Sequence, residues 1–319
     1  MSKVVVILNP AAGGGRASRR RQRVEVDLQR SGLDYRLVVT SSEAHLRSQV
    51  RHWSTGAAWL MVVGGDTSFR IAAAEVLEQR HGEKKSANLA FCGAGSANDV
   101  MRSLGIRSSR HLCELIRHNR VRHMDVGWVR TDSPAARHCF LGSMSLGLGV
   151  AVNREMARTH GASGKPVADW GPGLAALRRV FREKELPMEL DVNGRTGRYS
   201  LAAVLNGSHY AGGLKPARGA SPFNRRLELL LLSTHGWRET LAVGATLLAG
   251  RRLTVDAGLG WRLTAPQPFD IQIDGDVFPA GRGCSVEVQA AALPVAATGF
   301  KQEKGRLSAW MTGKIGGIR

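Results

Sequence analysis

The chain has 319 residues, 43% of them hydrophobic, with a formal net charge of +19 from 45 basic and 26 acidic side chains. That length and apolar content allow one large or two ordinary domains and exclude wholesale disorder, and no run of about 18 apolar residues supplies a membrane-spanning helix. The charge excess points to an anionic partner: a phosphorylated ligand, an acidic membrane surface or nucleic acid. Nucleic acid has the weakest support, since aromatics are only 6% and no base-stacking motif is visible.

The start, "MSKVVVILNP", runs directly into a strand and lacks the shape of a secretory signal, so a cytoplasmic protein is expected. "VVVIL" is a short unbroken apolar run, the pattern of a buried parallel strand. It is followed by "NPAAGGGRASRRRQR", where glycines let the backbone approach a ligand closely. Arg16, Arg19, Arg20, Arg21 and Arg23 stand just beyond, either as a phosphate-holding face or as a solvated one. "YRLVVT" predicts a second strand ending at Thr40, and "WLMVVGG" a third.

The third strand leads into "GGDTSFRIAAAEVL". Phe69, Ala72, Ala73 and Val76 recur at helical spacing, and Thr67 or Ser68 can cap the helix start. The N–H groups of that first turn would face the sheet edge, a natural anion site. Asp66 would repel phosphate but can hold Mg²⁺ or its waters. Taken alone, the stretch reads as well as an ordinary strand–helix connection. A fourth strand, "LAFCGAG", ends in "SANDVMRSLGI". There Ser96 can donate to a phosphate, Asn98 and Asp99 sit at a turn–helix junction, and Arg102 can pair with Asp99 one turn on. This βαβα rhythm predicts a parallel sheet with helices on both faces and a ligand beyond its carboxyl edge.

After about Gly127 the texture changes. "HCFLGSMSLGLG", "PMELDV", "YSLAAVLNGS", "LELLLLS", "WRLTAP", "FDIQIDGD" and "CSVEVQA" are strand-like and divided by turn residues, predicting a mainly antiparallel β-sandwich. Helices are expected near "GLAALRRVFREK" and "WRETLAVGATLLAG", and a loop over His160–Gly173. Asp274 and Asp276 flank Gly275. They could form a hairpin turn or, facing a phosphate site, accept a hydroxyl proton and bind metal. The segment after Phe300 mixes Leu307, Trp310, Ile315 and Ile318 with basic residues, suiting either a membrane surface or return to the first domain. Cys92, Cys113, Cys139 and Cys284 lack metal-site spacing and read as buried free thiols.

Together these stretches resemble the diacylglycerol kinase catalytic-domain family, the soluble lipid kinases that include sphingosine and ceramide kinases. "NPAAGGG" resembles the family's NPxxG opening, and "GGDTS" stands where it has GGDGT. "GAGSANDVMRSLGI" is similar to PxGTxNDxARxLGI, "NGSHYAGG" to NGxxYGGG, and "DGD" to DGE. "MDVGWV" and "SMSLGLGVAV" fall in the same order.

The resemblance implies an ATP-binding α/β domain over residues 1–128 and a β-sandwich lipid domain over 129–299, with Mg²⁺-ATP bound between them. It implies that Asn9, Gly13, Thr40, Gly64, Gly65, Asp66, Ser68 and Ser96 line ATP, with Arg16, Thr67 and Asn98 in the same turns. Asp66, Asp99, Arg102 and Asp125 would form the polar network around the phosphates. Asp274 and Asp276 would supply the general base, and Asp66 and Asp276 the metal contacts.

The acceptor implied is a lipid hydroxyl at an anionic membrane surface. Diacylglycerol comes first, with ceramide or a sphingoid base as alternatives, and peripheral membrane association is expected. A homodimer is left open. The chain departs from the family at Thr67 (Gly), Arg70 and Ile71 (Asn-Glu), Gly93 (Pro), Asn224 and Arg225 (Asp-Gly) and Asp276 (Glu). Those departures keep a second class in view, a lipid-binding pseudokinase.

Overall fold

A computed structural model describes residues 4–80, 86–95, 97–161, 178–182, 186–253 and 255–299. Strands β1 (Val4–Leu8), β2 (Tyr35–Val39), β3 (Trp59–Gly64) and β4 (Asn88–Gly93) form a parallel sheet in the order β2-β1-β3-β4. Every residue of β1 and β3 is buried, as central strands covered on both faces must be. Five helices surround them: α1 (Ala12–Arg30), α2 (Glu43–Trp53), α3 (Asp66–Arg80), α4 (Asp99–Ser103) and α5 (Ser109–Arg117). α1 packs with α5, and α2 with α3.

Local chemistry fixes these helices. Ser42 and Ser108 cap α2 and α5 by accepting from the N–H of His45 and His111, each at 3.1 Å. The expected apolar face of α3 is buried. So is Glu75 on its other side, where Arg47 (2.8 Å) and Arg51 (3.2 Å) from α2 neutralise it.

The rest of the chain is a mostly antiparallel β region. β5 (Val121–Asp132) pairs with β6 (Ala135–Phe140) and with the 21-residue β14 (Asp276–Ala296). β13 (Gly260–Ile273) shifts register between Thr264 and Phe269, so its first part pairs with β8 (Met188–Val192) and its last part with β7 (Ser143–Gly147). β9 (Arg195–Tyr199) extends β8, while β10 (Leu201–Leu205), β11 (Leu227–Leu232) and β12 (Asp256–Gly258) extend β7. This bend encloses a second core that includes Phe140, Leu146, Leu190, Val204, Leu263 and Ile271.

Two long strands join the halves. β14 ends beside β4, parallel to it at Val295 and Leu89, and β5 follows it down. Residue 128 therefore lies in the middle of a strand.

The run "HCFLGSMSLGLG" reads as strand-like throughout. The strand stops at Gly147, which has φ +73°, and α6 (Leu148–Gly161) begins at once. α7 (Trp237–Leu248) is the helix expected there. Of the other expected helix, residues 178–182 are described and helical. The expected loop over His160–Gly173 begins inside α6, which holds His160 and Gly161; its remainder, the rest of the other expected helix and the segment after residue 299 lie outside the described residues. All four cysteines are free and buried.

Candidate active site

The carboxyl ends of β1, β3 and β4 meet at the sheet edge through glycine. Gly13 has φ +63°, and a Cβ there would overlap the Ala94 carbonyl oxygen. A Cβ on Gly95 would lie 2.8 Å from the Cα of Gly65, and one on Gly64 2.6 Å from the Cβ of Ser68. At Gly13 and Gly95 the turns thus touch backbone to backbone, which any side chain would prevent. Gly14 and Gly15 also have positive φ but face open space.

Polar side chains brace this floor. Asn9 Nδ2 donates to Ser68 Oγ at 3.0 Å, and Thr40 Oγ1 donates to the Leu8 carbonyl at 3.2 Å. Arg16 Nε donates to the Gly13 carbonyl at 3.0 Å, and an Arg20 Nη donates to the Gly93 carbonyl. Asn98, left-handed at φ +55°, holds both the N–H and the C=O of Gly95 through its amide. Ser96 lies outside the described residues.

Thr67 lies in the first turn of α3 and is not among the positive-φ residues. The family glycine is therefore not required here for backbone freedom. Its hydroxyl instead donates to Asp276 Oδ1 at 3.2 Å, and Arg70 Nη2 donates to Asp276 Oδ2 at 2.7 Å. Arg70 is buried, with its guanidinium 5.3 Å from the Phe278 ring centre. Three positions at which the chain departs from its resemblance thus meet at one side chain across the two halves, Thr67 and Arg70 both bonding Asp276. Sequence reasoning noted each departure separately. Their simultaneous change was the signal that they form one contact.

Asp66, Asp99 and Asp274 come together, each keeping some exposure. Asp66 accepts from the N–H of Asp99 (3.2 Å) and Val100 (3.3 Å), capping α4 from another helix. Burial, reinforced by the Asp274 and Asp99 charges, pushes its pKa up to about 7. Asp274, left-handed at φ +46°, accepts from the N–H of Leu141 (2.7 Å), Gly142 (2.9 Å) and Ser143 (2.9 Å). Burial raises its pKa to about 6 against the pull of those amides and Arg70.

Asp99 Oδ2 accepts from Gly212 N–H at 2.9 Å, and Arg102 donates to the Gly212 carbonyl at 3.0 Å. Burial raises Asp99 as well, and its Oδ1 is buried without a hydrogen-bond partner. Unbalanced negative charge beside an orphaned acceptor fits a cation. Among the described residues no three Asp, Glu, His or Cys side chains form a cage. That donor set suits Mg²⁺, which takes one or two carboxylates and completes its shell with water and phosphate oxygens.

Asp125 does not join this group. Its oxygens accept from the N–H of Arg225 (2.6 Å) and Ala291 (2.7 Å). It reaches Asp274 only through intermediaries. Asn206 donates to the Asp125 and Leu141 carbonyls, each at 2.8 Å, and Leu141 in turn donates to Asp274. Sequence reasoning passed over Asn206 and Gly212, though both lie in the "NGSHYAGG" run it had singled out. Asn224 binds the Gly219 carbonyl and Glu228 rather than facing the acidic group.

Residues 3–129 match the profile of the diacylglycerol kinase catalytic domain. No curated protein matches the chain as a relative. Two solved structures from Bacillus anthracis str. Sterne are similar. One, of a candidate diacylglycerol kinase, has TM-score 0.68 and 18% identity, covering 93% of this chain and 98% of that one. Another, of a diacylglycerol kinase, has TM-score 0.70 and 17% identity, covering 93% and 97%. At such identities the likeness is one of fold, extending over both halves.

Proposed function

We propose, on the premise that residues 3–129 match the diacylglycerol kinase catalytic domain, that the chain transfers the γ-phosphoryl group of ATP to the primary hydroxyl of a lipid. Diacylglycerol is the first expectation. The observation that carries this reading is the meeting of the glycine floor with the Asp66–Asp99–Asp274 group. Phosphoryl transfer needs little covalent help from a protein. It needs positioning and compensation of charge on phosphate oxygens. Backbone approach at Gly13–Gly15 and the N-terminus of α3 supply the first, braced by Asn9, Ser68 and Asn98.

Asp66, with Asp99 beside it, would hold Mg²⁺, which when bound neutralises the phosphates. Asp274 would orient the acceptor hydroxyl and take its proton. With a pKa raised to about 6, it is ionised at neutral pH yet more basic than an ordinary carboxylate. Asp276 is already neutralised by Arg70, so its part is to fix the β13–β14 turn against α3.

The test is transfer from radiolabelled ATP to diacylglycerol, ceramide and sphingosine in mixed micelles. Asp274→Asn should lower kcat at least about a hundredfold, the usual worth of a positioned base. Turnover should fall below about pH 6 as Asp274 protonates. Undiminished transfer by the Asp274→Asn, Asp276→Asn double variant would remove both residues from the chemistry. Capture of Asp276 by Arg70 also favours a second reading, a pseudokinase. Calorimetry showing Mg-ATP binding, with no transfer to any of the three lipids, would select it.

A further inference from the structure

α7 is rich in apolar residues, yet it buries one side chain, Leu247. Leu241 and Leu248, on its opposite face, are 39% and 60% exposed. Ala242 and Ala245 are exposed on that same face. The inner face has its own partners: Leu247 is buried and Thr240 bonds Thr234 at 2.9 Å, while Trp237, one turn before Leu241, anchors the start of the helix on the third apolar cluster. Among the described residues, then, Leu241 and Leu248 stay exposed although the helix is anchored without them.

Cations rim this face. Arg238 is exposed on the helix, and Arg251 is exposed just past its end. Leu253 N–H donates to the Pro216 carbonyl at 2.8 Å, which sets Arg252 beside exposed Lys215. The one acidic residue of α7, Glu239, is engaged at the far end by the His235 N–H at 2.8 Å. The basic group continues toward the site. Burial first, and then the charges of Lys215, Arg102 and Arg252, depress the pKa of His209, whose N–H donates to Ser103 of α4.

We propose that the outer face of α7, with Arg238, Arg251, Arg252 and Lys215, docks on an anionic lipid bilayer. Leu241 and Leu248 enter the headgroup boundary, and the basic rim meets the lipid charges. Charge selects this occupant over two others. A second copy carries the same +19, and the segment from 301 to 319 is itself basic, so both would be repelled. The proposal rests on the lipid-kinase reading for its purpose but not for its measurement. A bilayer held here would lie beside Lys215 and Arg102, on the side where Gly212 binds Asp99.

The full chain is sedimented with phosphatidylcholine vesicles, with and without phosphatidylglycerol. Binding is expected only with the anionic lipid, weakening as salt rises. Leu241→Asp with Leu248→Asp should reduce it at least about tenfold, and Arg251→Gln with Arg252→Gln about 25-fold, at roughly fivefold per charge. Transfer to lipid in detergent micelles should be unchanged in both. If transfer is absent while vesicle binding behaves as stated, the kinase reading fails and the docking face stands. Undiminished vesicle binding by the folded Leu variant overturns the proposal, as does an effect of that variant on self-association alone. A Leu248→Cys protein carrying an environment-sensitive dye covers the case of a misfolded double variant. Its emission should shift to the blue on anionic vesicles, and absence of a shift while the protein is bound overturns the proposal.

Discussion

Arg70 and Asp276 form an ion pair with unequal partners: the Arg70 side chain is 10% exposed and that of Asp276 34%. Removing the acid strands a buried cation, whereas removing the base lets the acid turn to water. Asp276→Ala should therefore cost about 2–4 kcal/mol, and Arg70→Met about 1 kcal/mol or less. The double variant should recover most of the loss, an inequality that a denaturant double-mutant cycle measures. Equal costs would mean that the pair behaves as an exposed one. Asp66 adds a prediction of opposite character. Its folded pKa, about 7, lies above the unfolded value. The stability linked to it is complete below about pH 4 and is lost as pH rises through 7. Asp66→Asn keeps an acceptor for α4 but never ionises. The variant should equal wild type near pH 4 and exceed it by about 1–2 kcal/mol at pH 8 in the absence of Mg-ATP, a figure discounted for solvent contact. Catalysis should be lost in the same variant. Thermal unfolding across pH checks the sign, and a variant less stable at pH 8 would refute it.

At the scale of elements, strand ends and helix faces were legible and long-range closures were not. "VVVIL", "WLMVVGG" and "LAFCGAG" were readable because burial on both faces leaves an unbroken apolar run, and α3 because its apolar spacing is regular. α6 was missed because "LGLGVAV" carries no polar face before Asn153, so nothing in the pattern separates it from the strand before it. Asp125 looked like a phosphate neighbour from its motif. The structure makes it a clasp on two left-handed residues, Arg225 (φ +62°) and Ala291 (φ +49°), which no spacing rule announces. Arg225 stands where the resemblance implies glycine, the residue that adopts such a φ without strain. Arg225→Gly should stabilise by roughly 0.5–1 kcal/mol by relieving that strain. Asp125→Ala should cost about 2–4 kcal/mol, since two backbone N–H groups lose their acceptor. A shift in the denaturation midpoint in the wrong direction for Arg225→Gly would show that Asp125, not the backbone, sets the conformation.

At the scale of the whole molecule, the two halves share strands rather than a linker. Leu293, Val295, Ala296 and Ala297, from the far end of the chain, are fully or almost fully buried in the core of the first half. β14 covers the edge of β4, and β5, which begins in that half, ends beside β6 in the other. A fragment of residues 1–128 would expose the apolar surface those four residues bury. It would also leave β4 as an unpaired, apolar edge, a condition that promotes association. It should therefore be insoluble or lack cooperative unfolding, although it contains almost the whole family match. The full chain should unfold in one transition, because neither core is complete without β14. Calorimetry distinguishes the outcomes. Two separate transitions, or a fragment 1–128 that melts cooperatively, would mean that the shared strands only touch the first half. A single transition would mean that disturbing the Asp274 turn, where β13 passes into β14, also weakens the glycine floor that faces it.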